Sequence, residues 1–132
     1  MSCYNAALTD KVKDGLTSLQ HLTKLDVSGY WCYNRNLTDH LMESLSIHNK
    51  ALTDLNVNLC AMITSAGIIK VIEACNIKHL HISETLVDNN IAEPLTVHCP
   101  KLKTLNCSQT KIDSVGIKII LKLCKRIHNL TK

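Results

Sequence analysis

The sequence repeats itself about every 25 residues, and this repeat constrains the fold more than any other feature. A short apolar pattern of the form L-x-x-L-x-V, or a close variant, begins at Leu22, Leu52, Ile77, Leu102 and Ile127. One such unit cannot cover its own apolar face, whereas stacked units bury a continuous core. The repeat therefore predicts an elongated stack of units.

Each unit also has a second half that predicts a helix. An aliphatic residue, a polar pair and helix-spaced apolar residues occur in segments 37–45, 63–72, 86–95 and 112–121, and segment 8–19 is a further copy without a strand pattern before it. Polar residues suited to helix capping open these segments: Thr38-Asp39, Thr64-Ser65, Asp88 and Asp113-Ser114. The spacing of Ile117, Leu121 and Cys124 predicts a helix face turned toward the strands.

The first half of each unit predicts a short strand. In the copy that starts at Leu22, Leu25 and Val27 alternate with the polar Asp26, which is the period of a strand with one buried face. A Ser or Asn follows each strand pattern and is expected to bond to the backbone at the turn. These turn residues are Ser28, Asn58, Ser83 and Ser108.

The pattern resembles the cysteine-containing class of leucine-rich repeat, found in F-box leucine-rich-repeat proteins and in proteins of the antagonist-of-mitotic-exit-network type. The apolar strand patterns carry the resemblance, together with the polar helix starts and with Cys75, Cys99 and Cys124 near the helix ends; Cys60 stands in the turn after its strand. The first unit departs from the class because it is longer, with the insert 29–36, and no F-box segment is visible. The resemblance implies a substrate-recognition or adaptor role in a ubiquitin-ligase-like system.

The predicted fold is an α/β leucine-rich-repeat solenoid, a short right-handed arc with parallel strands on the concave face and helices on the convex face. We expect a single domain over residues 1–132. It comprises a half-unit at 1–21, units starting at 22, 52, 77 and 102, and a partial unit at 127–132.

The outward strand positions are the predicted binding site. Strands about 4.8 Å apart give a concave sheet roughly 20 Å across, wide enough for one helix or extended segment of another protein. The predicted partner-binding residues are small and polar: Asp26, Asp54, Asn56, His79, His81, Thr104 and Asn106. We expect recognition of a protein here, with no small-molecule substrate.

No catalytic, metal or cofactor site is predicted. The sequence lacks G-x-S-x-G, H-E-x-x-H and the glycine-rich phosphate-binding motifs. His79 and His81 could supply two zinc ligands, yet a site needs a third and a fourth, and the cysteines fall in successive layers instead of converging. We therefore expect a protein that is not an enzyme and in which the cysteines serve packing.

Charge and aromatic content leave other interactions open. Residues 101–132 hold eight basic side chains and one acid, so Lys118, Lys122, Lys125 and Arg126 form a candidate patch for nucleic acid or another anionic surface, with the first three on one face of the last helix. The insert supplies a candidate interface loop with Tyr30, Trp31 and Tyr33. A third alternative is a structural subunit whose C-terminal edge is covered by a partner or a second copy.

The sequence also sets expectations about the compartment. It shows no apolar run of membrane-span length and no apolar segment typical of a secretory signal near Met1. Seven cysteines without a C-x-x-C pair favour free thiols in a reducing environment. The expected localisation is cytoplasmic or nuclear.

Overall fold

A computed structural model describes residues 20–28 and 37–132. Within them the chain alternates short strands with helices. The strands are β1 (Lys24–Asp26), β2 (Asp54–Asn56), β3 (His79–His81), β4 (Thr104–Asn106) and β5 (Asn129–Thr131). The helices are α1 (Asp39–His48), α2 (Ser65–Ala74), α3 (Ala92–His98, entered through a 3-10 turn at Asn89–Ile91) and α4 (Ser114–Leu123).

All five strands form one parallel sheet in sequence order. The register aligns equivalent residues of successive units, so that Leu25, Leu55, Leu80 and Leu105 are paired neighbours in the middle of their strands. These leucines point into the core, and successive helices pack on one another. The predicted α/β solenoid fold is confirmed. None of the described helices has the length and apolar character that a membrane crossing requires.

The helix starts were predicted well, and one helix face was predicted in error. Thr38, Thr64 and Asp113 are the N-caps of α1, α2 and α4, and Asp88 caps the 3-10 turn before α3. In α4, Ile117 and Cys124 are buried as expected, but Leu121 is 43% exposed and Ile120 is buried in its stead. An α-helix turns by 100° per residue, so Leu121 lies to one side of the buried arc that Ile117, Ile120 and Cys124 occupy.

The cysteines join each unit to the one before it. The thiols of Cys75, Cys99 and Cys124 point at the carbonyl oxygens of Asn49, Ile72 and Leu95, with Sγ–O distances of 3.4, 4.0 and 3.8 Å. These carbonyls lie at the C-terminal ends of α1, α2 and α3, and those of Asn49 and Leu95 also accept the backbone N–H groups of Leu52 and Cys99, so the thiol is a further partner for an oxygen with two lone pairs. Cysteine supplies a small apolar body with a weak S–H donor at each of these junctions.

The buried thiols predict a loss of stability at alkaline pH. Burial raises the pKa of Cys99 from 9.0 to about 12, and burial raises the pKa values of Cys75, Cys107 and Cys124 as well. Above pH 9 the unfolded chain releases these protons while the folded chain retains them, so the free energy of unfolding falls as the pH rises. At pH 10 the Cys99 thiol alone accounts for about 1 kcal/mol of this fall.

Urea denaturation in reducing buffer at pH 8 and pH 10 measures this effect. Cys99→Ala is the matched control, because the other titrating groups of the chain are unchanged in that variant. The wild type should lose about 1 kcal/mol more than Cys99→Ala between the two pH values. Equal losses would show that the Cys99 thiolate is tolerated in the folded state.

A series of polar side chains, here called the ladder, links the helix starts of successive units. The first helical residue of one unit bonds to the N-cap of the next: the Asp39 carboxylate accepts from the backbone N–H and hydroxyl of Thr64, and Asn89 Oδ1 accepts from the N–H of Asp113 at 3.0 Å. Between them, Ser65 Oγ donates to Asp88 Oδ1 at 2.8 Å and accepts from the Asp88 N–H at 2.9 Å. Adjacent units are therefore locked in register on the helix side as well as through the sheet.

Two glycines make room for the larger members of this ladder. A Cβ on Gly67 would lie 2.1 Å from Asp39 Oδ1, and one on Gly116 would lie 2.3 Å from Asn89 Oδ1. At the equivalent position of the third helical segment stands Ile91, fully buried, where the preceding ladder residue is the short Ser65. Large ladder residues are thus matched with glycine, and the small one with isoleucine.

Candidate functional site

The outward positions of the sheet form two rows of polar side chains. The parallel register aligns Lys24, Asp54, His79, Thr104 and Asn129 in the first row. It aligns Asp26, Asn56, His81, Asn106 and Thr131 in the second. All seven predicted partner-binding residues lie in these rows and are half-buried. We call the two rows together the concave face.

Side chains of neighbouring strands pair within the first row. Lys24 Nζ lies 3.7 Å from Asp54 Oδ2, and the other carboxylate oxygen of Asp54 accepts from the Thr53 hydroxyl at 2.8 Å. His79 Nδ1 lies 3.0 Å from Thr104 Oγ1. The Lys24 side chain is 77% exposed, so its ion pair is screened by solvent and contributes little to stability. The row is fixed in place and still presents charge to solvent.

The second row caps the turns that leave the strands. Asp26 Oδ1 accepts from the N–H of Ser28 at 2.9 Å, Asn56 Oδ1 from that of Asn58 at 3.0 Å, and Asn106 Oδ1 from that of Ser108 at 3.3 Å. This is the Asx turn, in which a short polar side chain bonds to the backbone two residues on. These turns require Asp or Asn in the second row.

Among the second-row residues of β1 to β4, His81 is the exception. The N–H of Ser83, two residues after it, donates instead to Asn58 Oδ1 of the preceding unit at 2.8 Å. Asn58 therefore performs the capping that an Asp or Asn at position 81 would perform. Position 81 is relieved of the structural role that fixes its equivalents, and an imidazole stands there.

A depression of about 290 Å³ lies over β1, β2 and β3. Its polar lining comprises Lys24, Asp26, Asp54, Asn56, His79 and His81. Burial, followed by the nearby His79, lowers the pKa of His81, against the opposing influence of Asp26 and Asp54. At neutral pH the His81 imidazole is therefore uncharged and offers one donor and one acceptor. The depression is suited to hydrogen bonding with a partner's polar or cationic side chain.

The thiols and the metal-ligating groups offer little chemistry in the described part of the chain. The five cysteines found there are free and buried, and the raised pKa values of four of them oppose formation of the reactive thiolate. Among residues 20–28 and 37–132, no three His, Cys, Asp or Glu side chains converge on a point that could hold a metal ion.

The basic residues predicted as one patch occupy two places. Lys118 and Lys122 are exposed on α4, but that helix ends at Leu123, so Lys125 and Arg126 lie in the loop that leads to β5. The prediction that Lys125 continues the face of Lys118 and Lys122 is therefore wrong. Cys124, buried at the C-cap, ends the helix before Lys125. The predicted loop residues Tyr30, Trp31 and Tyr33 fall outside the described residues, as does most of the half-unit 1–21.

Sequence reasoning missed the capping role of the second row. It assigned the turns to Ser28, Asn58, Ser83 and Ser108, whereas three of the four caps come from the residue two positions earlier. Asn58 does bond to the backbone, although in the next unit and not in its own turn. The pattern D/N-x-S/N after the strand core is the signal that identifies the Asx turns.

Comparisons with known proteins agree on the architecture. No protein-family model matches the sequence, and no curated protein matches it significantly. The structure is similar to the tropomodulin C-terminal domain from Caenorhabditis elegans, with a TM-score of 0.66 at 8% identity over 93% of this chain and 81% of that one. It is also similar to the Chaetomium Mex67:Mtr2 subunits, with a TM-score of 0.62 at 13% identity over 92% of this chain and 88% of that one. The chain folds as a leucine-rich-repeat-like α/β solenoid.

Proposed function

We propose that the protein is a recognition module that binds a segment of another protein across its concave face, without chemistry of its own. The observation that carries this proposal is that His81 does not cap the turn that follows its strand. Its equivalents in the second row, such as Asn56 and Asn106, cap turns, whereas His81 makes no such bond because Asn58 caps its turn from the preceding unit. A half-buried imidazole that the fold does not require, and that lines a polar depression, is suited to contact with a partner.

The chemistry of the face supports hydrogen bonding more than apolar anchoring. Asp26 and Asp54 border the depression together with Lys24, and the two histidines complete it. Polar groups of both signs fix the register and orientation of a partner. The solved structures that share the fold include the subunits of Mex67:Mtr2, which agrees with a role in protein association.

The test separates binding from stability by the choice of variants. The double variant His79→Ala with His81→Ala removes the two imidazoles and leaves the Asx turns intact, so the fold should be retained. Partners captured from reducing lysate and identified by mass spectrometry are then titrated against purified wild type and variant. We expect the Kd to rise about 10- to 100-fold, the range of an interface hot spot, while the free energy of unfolding changes by less than about 1 kcal/mol.

Matched variants on the convex face provide the control. Lys118→Ala with Lys122→Ala changes two exposed residues of α4 and should leave the Kd unchanged. A Kd that responds to the α4 variant and not to the histidine variant would overturn recognition on the concave face.

The same capture experiment decides between the finer alternatives. An adaptor or substrate-recognition role in a ubiquitin-ligase-like system, implied by the resemblance, requires ligase components among the histidine-dependent partners. A structural subunit requires a partner of fixed stoichiometry that is indifferent to the histidines. If the protein is such a subunit, we propose that its partner covers the surface beyond α4. Ile112, Ile117 and Leu121 line a groove of about 360 Å³ there.

A further inference from the structure

The solenoid sorts charge between its two edges. At one edge run the connections from helix ends to strands, in segments 49–53, 75–78, 99–103 and 124–128. They contain six bases and no acid: Lys50, Lys78, Lys101, Lys103, Lys125 and Arg126. We call these six residues the basic edge. In their described residues (27–28, 37–38, 57–64, 82–88 and 107–113), the connections at the opposite edge hold Glu84, Asp88 and Asp113 against a single base, Lys111.

The basic edge is open to solvent, and none of its side chains forms an ion pair with an acid in the described part of the chain. Five of its six residues are exposed, and Lys78 is half-buried. The ion pairs found in the described part of the chain, Lys24–Asp54 and Lys70–Glu43, lie elsewhere. The basic edge also receives the C-terminal ends of the helices, whose partial negative charge favours one cation near each end. Six bases in four connections exceed that requirement.

Exposed aliphatic side chains accompany these bases. Ile47, Val97 and Leu123 stand in the last turns of α1, α3 and α4 and are 58, 65 and 57% exposed. In α2 the position of Ile47 and Val97, two residues before the C-cap, is held by Glu73, the one acid in the described helix ends at this edge. The same rim therefore presents six cations together with three large apolar groups.

We propose that this rim rests on an anionic phospholipid surface. Lysine and arginine are attracted to acidic headgroups, and aliphatic side chains gain by entering the boundary with the acyl chains. A nucleic acid would satisfy the cations and leave the aliphatic groups without partners, and the helix-to-strand connections contain no Phe, Tyr or Trp for base stacking. In this orientation the concave face stays open to a protein partner.

Vesicle sedimentation with the full chain tests the proposal. The probes are phosphatidylcholine vesicles with and without about 30% phosphatidylserine, in about 0.1 M salt. The edge variant combines Lys101→Gln, Lys103→Gln and Lys125→Gln. The matched control removes the same charge elsewhere through Lys70→Gln, Lys111→Gln and Lys118→Gln. We expect the wild type to bind only the acidic vesicles, and the edge variant to lose about 100-fold in partitioning while the control retains most of it.

A third variant examines the aliphatic groups. Val97→Ser with Leu123→Ser alters two exposed residues, so circular dichroism and thermal unfolding should match the wild type. Its partitioning should fall roughly tenfold. Added salt should then abolish the binding that remains, because that binding is electrostatic alone. Equal losses in the edge and control variants would reduce the effect to net charge and overturn the proposal. Binding to duplex DNA or polyglutamate that is tighter than binding to vesicles, and indifferent to the serine variant, would likewise overturn it.

Discussion

Replacing Leu80 by alanine should lower the free energy of unfolding by about 3 kcal/mol, the largest effect expected of a single side chain here. Leu80 is fully buried in the middle strand, with Leu55 and Leu105 as its register partners on either side. Truncation removes transfer free energy and leaves a cavity that the flanking strands cannot close, because the sheet register holds them in place.

Leu130→Ala is the matched control for this substitution. Leu130 is the equivalent residue of β5 and is half-buried, with one described strand beside it. We expect its truncation to cost about 1 kcal/mol. Urea denaturation at neutral pH measures both variants. Losses of equal size would show that the position of a unit in the stack does not determine the contribution of its leucine, contrary to nearest-neighbour stabilisation.

Gly67→Ala should destabilise the protein by about 2 kcal/mol, opposite in sign to the usual effect of this change within a helix. The new Cβ would lie 2.1 Å from Asp39 Oδ1 and 2.6 Å from Asp39 Cγ. The Asp39 side chain must then move away and give up its bonds to Thr64, which leaves polar groups unpaired.

A double-mutant cycle tests the cause of that loss. Combining Gly67→Ala with Asp39→Ser recreates the pairing of a short ladder residue with a larger helix residue that Ser65 and Ile91 already show. The two substitutions should couple favourably by more than about 1 kcal/mol. A stabilising effect of Gly67→Ala alone would contradict the steric account and point to an ordinary helix-interior glycine.

The fold could be predicted because its determinants are local and periodic. The alternation of Leu25, Asp26 and Val27 and the step of 25 residues are visible without three-dimensional information. Buried leucines in each strand and polar residues at each helix start then specify how the units stack. Leu121 was misjudged because apolar spacing alone does not distinguish a core position from the flank of the helix beside it.

The candidate site was predicted only as a set of outward positions. Alternation places Asn56 and His81 on the same face, but it does not show that one caps a turn while the other does not. That difference depends on Asn58 reaching into the next unit, a contact between residues 25 positions apart. The basic edge was equally hidden, because its residues come from four separate connections that only the topology brings to one rim.

The ladder of helix starts means that the units are not interchangeable modules. Excising residues 52–76 would place Asp39 against Ile91, where there is no space for its carboxylate, whereas excising 52–101 would place Asp39 against Gly116 and preserve the match. Gene duplication, deletion or engineered shuffling in such a chain is therefore limited by which units can stand next to each other. Only junctions that pair a large residue with glycine, or a small residue with a bulky one, yield a continuous array.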